Sequence, residues 1–222
     1  MADEEKKATD GAGRMVIVVL EMSSMETVKT AQGFQLLNCD DHLSLHKKLK
    51  KDPADSRPDI THQELLALLD SPLNKAGLLK VFIRTTKNVL IEVNPKIRIP
   101  RTFKRFAGLM VQLLHKLKIR SSSNTETLLK VVKNPVSIHL PAGARKIGLS
   151  VTGNLVHPGE YVASLPQNEP IVLVFGAMAH GHLTVAEYPY IEEMISVSAY
   201  PLSGAQAISR LLGAFENQWG VL

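Results

Sequence analysis

Two glycine-bearing turns, one Arg-Pro-Asp string and a band of cations carry most of the chemistry this sequence can offer. In IVLVFGAMAHGH, Gly176 and Gly181 follow an apolar run, and residues without side chains let a ligand approach the backbone. Ligands of α/β sheets bind at such carboxyl ends of strands. In AYPLSGAQAISRLL, Pro201 fixes one torsion, Ser203 can cap a helix and Gly204 keeps its first turn open. Taken singly, each turn is a common way to reverse or cap a chain. At neighbouring strand ends the two can hold a small molecule through main-chain groups. Neither is a phosphate loop, because His182 and Leu183 follow Gly181 where Lys and Ser or Thr would be needed, and no G-x-G-x-x-G opens a helix.

In RPDITHQ, Arg57 and Asp59 flank Pro58, so the carboxylate can hold the guanidinium in one orientation. The alternative is a surface pair of little worth, with Asp59 or Thr61 capping the next helix. His42 with His46, and His180 with His182, are close pairs, but a metal needs three or four convergent ligands, so no metal site is expected. Cys39 has no motif for nucleophilic catalysis and reads as a small buried residue. No G-x-S-x-G elbow occurs, and no residue is assigned as catalytic base.

The formal charge of +5 conceals a division. Residues 93–148 hold 12 basic and 1 acidic side chain, whereas residues 149–222 hold 1 and 6. Five of the 12 are arginines (Arg98, Arg101, Arg105, Arg120, Arg145), whose planar fork suits phosphate better than solubility requires. A concentrated cation of this kind points to a polyanion such as a nucleic-acid backbone, the other reading being a solvated basic face. No apolar run approaches the length of a bilayer span, the first residues lack a secretory pattern, and a single cysteine excludes a disulfide framework. A reducing intracellular compartment is therefore expected, with no membrane partner.

The elements that must position these groups follow from periodicity. Residues 1–14 read as a disordered tail and 15–222 as one domain. Strands are expected at Met15–Leu20, Leu78–Arg84, Lys87–Val93, Arg145–Val151, Ile171–Phe175 and Ile195–Ala199, with a hairpin turning near Thr86–Lys87. Helices are expected at His42–Lys50, Thr61–Leu69, Thr102–Leu117, Glu160–Leu165 and Ser203–Trp219. Thr102 is the expected N-cap of the third. Strand and helix alternate after residue 145, which predicts an α/β fold with a mostly parallel sheet and helices on both faces.

Several long strings together resemble one family: RMVIVVLEMSSMET, LLNCDDH, RPDITHQELLALLDSPLNKAG, IEVNPKIRIPRTFKRFAGLMVQLLHKL, VFGAMAHG and SAYPLSGA. They are similar to the eukaryotic ribosome-biogenesis pseudouridine N1-methyltransferases of the SPOUT superfamily. The resemblance implies a C-terminal trefoil knot that binds S-adenosylmethionine, a homodimer, and a family-specific insertion that contacts RNA. It implies methylation of N1 of a pseudouridine in small-subunit (18S) ribosomal RNA, hence a role in small-subunit biogenesis, the pre-ribosomal particle as partner and a nuclear, nucleolar place of work.

Carried onto matching positions, the cofactor site comprises Val151 at a strand end, then Gly176, Ala177, Met178, Gly181, His182 and Leu183, then Tyr200, Pro201, Leu202, Ser203, Gly204, Ala205 and Gln206. The RNA side comprises Arg57, held by Asp59, with Arg98, Arg101 and Arg105 in the basic region 93–148. His180 stands where some members have arginine, and Met178 where others have a bulky apolar residue, so backbone contact is the expectation there. The rival reading is a non-catalytic RNA-binding assembly factor that keeps the same surface. A basic enzyme using a nucleotide is disfavoured by the missing phosphate loops.

Overall fold

The computed structural model describes residues 13–123 and 125–222. Of the expected tail, residues 1–12 lie outside it, while the Arg14 guanidinium sits 5.4 Å over the Trp219 ring, so the packed chain starts slightly before Met15.

Strand β1 (Met15–Ser23) is the centre of the sheet. Its run of Val and Ile is buried on both faces from Val16 to Leu20, as a strand inside a parallel sheet must be. Around it stand β4 (Leu79–Thr85), β5 (Leu90–Val93), β6 (Lys118–Arg120), β7 (Thr127–Val132), β8 (Arg145–Leu155), β9 (Pro170–Gly176) and β10 (Glu193–Ser196), in the order β10-β8-β9-β1-β4-β5-β7-β6. The first five in that order run parallel. The remaining three continue antiparallel, starting with the expected hairpin, whose turn carries Asn88 at φ +58°. A separate hairpin pairs β2 (Thr27–Thr30) with β3 (Gly33–Leu36).

The helices are α1 (Leu43–Leu49), α2 (Pro58–Asp70), α3 (Pro72–Lys75), α4 (Phe103–Lys116), α5 (Pro158–Ser164) and α6 (Gly204–Trp219). Helix α2 starts three residues earlier than its apolar period predicts, because Pro58 suits a first helical position. In α4 the stripe Phe106, Met110 and Leu113 is fully buried, and Leu117 ends the helix at φ +59°. Thr102 occupies the N-cap position but makes no side-chain cap, contrary to expectation. In α6 the cap is made: Ser203 Oγ accepts from the Gln206 amide. Ile208, Leu211, Leu212, Phe215 and Trp219 form its buried side.

One face of the sheet, with Val16, Val18 and Leu20, packs on residues of α2, α4, α5 and α6. The opposite face, with Ile17, Val19, Val172 and Val174, is closed by a 3-10 turn at Val136–His139 and by Leu183, Tyr188 and Ile191. Helices thus cover the first face, and irregular chain supplies the apolar cover of the second. Two further departures matter for the site. The last strand is Glu193–Ser196 rather than Ile195–Ala199, because the Ser196 hydroxyl donates to the Ser198 carbonyl (2.9 Å) and the Tyr200 amide donates to Ser198 Oγ (3.0 Å), which turns the chain out of the sheet. Cys39 is half-buried rather than buried, on the segment whose amide donates to the Ser56 carbonyl.

Candidate functional site

The carboxyl ends of β9 and β10 meet at a cleft of about 240 Å³. Its walls are the end of β9 (Phe175, Gly176), the turn after it (Met178, Ala179, Gly181 to Leu183), the end of β10 with the turn beyond (Ile195 to Ser198, Tyr200, Leu202), and the first residues of α6 (Gly204, Ala207). The fifth wall comes from β8. There the pairing with β10 jumps from Gly148–Met194 to Asn154–Ile195, so the intervening residues bulge out, and Leu149, Ser150 and Val151 enter the cleft. Gly153 makes the bulge possible: a methyl group on it would lie 2.5 Å from the Ile195 carbonyl carbon.

Of the residues carried over for a cofactor, Val151, Gly176, Met178, Gly181, His182, Leu183, Tyr200, Leu202 and Gly204 line this cleft. Ala177, Pro201, Ser203, Ala205 and Gln206 do not. Ala177 is fully buried with its amide bonded to the Glu21 carbonyl (2.7 Å), and Ser203 is spent on its cap. Val151 lies within the bulged strand instead of at a strand end. Leu149, Ser150, Phe175, Ile195 to Ser198 and Ala207 line the cleft outside the stretches carried over for the cofactor. Only the bulge in β8 brings the first two to the cleft, and a bulge has no period to announce it.

The cleft is made of main chain, apolar side chains and a few uncharged polar ones (Ser150, His182, Ser196, Ser198, Tyr200). From Met178 to Leu183 the chain makes no hydrogen bond with the other described residues, so its amides and carbonyls are available to a ligand. Leu149, Val151, Phe175, Leu183, Ile195, Val197 and Leu202 supply an apolar lining, and no carboxylate or lysine faces it among the described residues. A planar heterocycle with polar edges fits this donor set, as the adenosyl part of S-adenosylmethionine would.

Behind the turn, Glu21 at the end of β1 is completely buried, accepting from Arg84 Nε (2.6 Å) and from the Tyr190 hydroxyl (2.6 Å). Burial first, then the Glu21 charge, pushes the Tyr190 phenol far up, so it stays a donor. Glu21 also pairs in register with Gly176, so the charge pair braces the strand end from which the turn departs. Glu64 is a different case. It is buried on α2, neither oxygen has a hydrogen-bond partner, and burial pushes its carboxyl well above the usual range. A methyl group on Gly204 would lie 2.0 Å from its Oε1, so Gly204 is glycine to admit this side chain behind the cleft wall.

A second cavity, of about 540 Å³, adjoins the cleft and shares Met178 and Ala179 with it. His180 and the segments around Ser24, Lys50–Asp52, Ser56 and Lys87 line it. Arg57 lies at this edge: its amide donates to Ser24 Oγ (2.8 Å), and its guanidinium is bidentate to Asp59, Nε to Oδ1 at 2.8 Å and Nη2 to Oδ2 at 2.7 Å. That hydrogen bonding raises the Arg57 pKa further, so Asp59 acts as an orienter.

The other carried-over arginines follow α2 outward. His62 Nε2 donates to the Pro100 carbonyl (2.7 Å) and the ring stacks on Phe106 (4.5 Å), which ties the Arg98–Arg105 stretch to α2. Arg101 pairs with Asp70, roughly 16 Å along the helix from Asp59 by helical rise. Arg98 and Arg105 are exposed and have no ion-pair partner among the described residues. His42 and His46 serve packing: His42 bonds Gln35 and the Asn38 amide, and His46 bonds the His42 carbonyl. No group of three potential metal ligands occurs, and no helix is long and apolar enough to cross a membrane, among the described residues.

Comparison with known proteins sets this geometry in context. The family model for EMG1/NEP1 methyltransferase matches residues 18–216. A ribosomal RNA small subunit methyltransferase NEP1 from Homo sapiens is 55% identical over 210 residues, covering 95% of this chain and 84% of that protein. The protein of the same name from Drosophila melanogaster is 52% identical over 217 residues, covering 94% and 84%. A solved structure, Archaeoglobus fulgidus Nep1 bound to S-adenosylhomocysteine, aligns with a TM-score of 0.69 at 22% identity, covering 94% of this chain and 99% of that one. At that identity the match establishes a shared fold.

Proposed function

Because the chain belongs to the EMG1/NEP1 methyltransferase family, we propose that it methylates small-subunit ribosomal RNA with S-adenosylmethionine as donor, at N1 of a pseudouridine, during small-subunit biogenesis. The observation that carries the reading is the shared wall. The free main chain of Met178–Leu183 borders the apolar cleft, and Met178 and Ala179 also border the cavity beside the Arg57–Asp59 pair.

Bound in the cleft, S-adenosylmethionine supplies an electrophilic methyl group on a sulfonium. The protein's part is positioning, which converts a bimolecular displacement into an ordered one. The Met178–Leu183 main chain and the apolar walls hold the donor. Arg57, fixed by Asp59, offers its remaining N–H groups to the RNA. Arg98 and Arg105 meet phosphates and set register without reading sequence. The target base must be unstacked to present its ring nitrogen. No acceptor for the ring proton is assigned: no carboxylate lines the cleft among the described residues, both oxygens of Asp59 are engaged by Arg57, and the carboxylates nearby (Glu26, Asp52, Asp55) line the adjoining cavity.

The same reading takes the C-terminal chain as the family's trefoil knot and the molecule as a homodimer. Exposed apolar side chains at the cleft mouth and along β8 (Val151, Leu155, Tyr200, Leu202) favour a second copy there. A ribosomal RNA substrate makes the nucleolus its place of work. The test is calorimetry with S-adenosylmethionine, followed by mass analysis of a pseudouridine-containing hairpin. Saturable binding and addition of one methyl group are expected. RNA binding without methyl transfer would instead support the assembly-factor reading.

A further inference from the structure

Only two aromatic side chains are markedly exposed among the described residues, Tyr200 at the cleft mouth and Phe34, which is 52% accessible. Phe34 lies on the β2–β3 hairpin, which packs against α4. Its ring meets the His115 ring edge-on at 4.5 Å. His115 Nδ1 donates to the Val111 carbonyl (2.8 Å), which holds that ring on an exposed residue. Lys29 is the cross-strand partner of Phe34, and Lys116 and Lys118 follow His115 in the chain. All three lysines are exposed, and none has an ion-pair partner among the described residues. This end of α4 therefore holds an exposed aromatic pair, with one of these lysines across the strand from Phe34 and the other two within three residues of His115.

The patch is continuous with the surface already assigned to RNA. Arg105, Gly108, Gln112 and His115 recur at spacings of three and four and are all exposed, so they form one stripe along α4. The stripe spans roughly 15 Å from Arg105 to His115 by helical rise. We propose that Phe34 and His115, with Lys29, Lys116 and Lys118, form a stacking platform for an unpaired base of the RNA flanking the modified nucleotide. This rests on the ribosomal RNA reading above. Aromatic faces accept any base, and surrounding lysines track its phosphates, so the platform adds affinity without sequence preference.

The test uses the full chain and two RNAs: a pseudouridine hairpin alone, and the same hairpin with single-stranded flanks. Wild type is expected to bind the flanked RNA about tenfold more tightly. Phe34→Ala removes that advantage and leaves the affinity for the bare hairpin and the salt dependence unchanged, whereas Phe34→Trp retains it. Lys118→Gln lowers the salt slope for the flanked RNA by about 0.7, the share of one phosphate contact on a single strand. The proposal is overturned if Phe34→Ala binds the flanked RNA as wild type does. It is also overturned if Phe34→Ala loses both RNAs together, or changes the sedimenting mass while RNA binding persists, since the ring would then serve folding or a second copy. If wild type binds neither RNA, the ribosomal RNA reading itself fails.

Discussion

The parallel and antiparallel halves of the sheet carry different kinds of site. At the ends of β8, β9 and β10, the cleft is assembled from main chain, apolar walls and uncharged polar side chains, and six residues in the turn after β9 have main chain that bonds to nothing else described. Beyond β5, function lies on exposed side chains: seven of the twelve basic residues between 93 and 148, Arg98, Lys104, Arg105, Lys116, Lys118, Arg120 and Lys133, have no ion-pair partner among the described residues. A site made of main chain depends on shape and tolerates side-chain change wherever the chain path survives. One made of exposed cations depends on charge and is indifferent to local shape.

That contrast predicts separable damage. Arg98→Glu with Arg105→Glu should lower RNA affinity about 100-fold, roughly 2.7 kcal/mol, while calorimetry finds S-adenosylmethionine binding unchanged. Equal loss of both in a folded protein would break the division. On the cleft side, Gly204→Ala should destabilise the protein by about 2 kcal/mol in urea unfolding, because the added methyl meets Glu64. Combining it with Glu64→Ala should recover most of that loss, which ties the effect to this one contact.

Glu64 sharpens the comparison through pH. Its carboxyl is held protonated by burial, so the native chain keeps a proton that the unfolded chain loses above about pH 4.5. Stability should therefore fall as pH rises from there through the native value. Thermal unfolding should find Glu64→Gln and wild type alike near pH 4, with the variant ahead by about 1 kcal/mol at pH 8. The smallest effect is expected at Arg101. Its guanidinium is shared with exposed Asp70, so Arg101→Ala should weaken RNA binding only about twofold, well short of Arg105→Ala.

Legibility in the sequence followed the same division. The cations could be counted, and Arg57 could be set beside Asp59 by spacing, because charge and short separation are visible along a chain. The orienting role of Asp59 came from the resemblance. Strands β1, β4 and β9 and helices α4 and α6 announced themselves through apolar period. Strands β2, β3, β6 and β7 did not, since Thr27–Thr30, Gly33–Leu36 and Lys118–Arg120 are too short to show a period and Thr127–Val132 is held by β5 and β6 on its two sides. The cleft was outlined by the resemblance, which named Val151 of its β8 wall but not Leu149 and Ser150, because a bulge is fixed by what β10 pairs with. Glu64 carried no signal in the sequence, because only packing places its carboxyl against Gly204. Phe34 was equally silent, since exposure of an aromatic ring is a tertiary fact.

The claim on which the account turns is that the main-chain cleft and the cationic surface serve one reaction. Mass analysis of paired hairpins, one with pseudouridine and one with uridine at the same place, tests it after incubation with the protein and S-adenosylmethionine. The account predicts one added methyl group on the pseudouridine hairpin and none on the other, with the product lost in Arg98→Glu/Arg105→Glu although the donor still binds. Donor and RNA both bound by wild type with no methyl transferred, or full transfer by the charge-reversed variant, would contradict it.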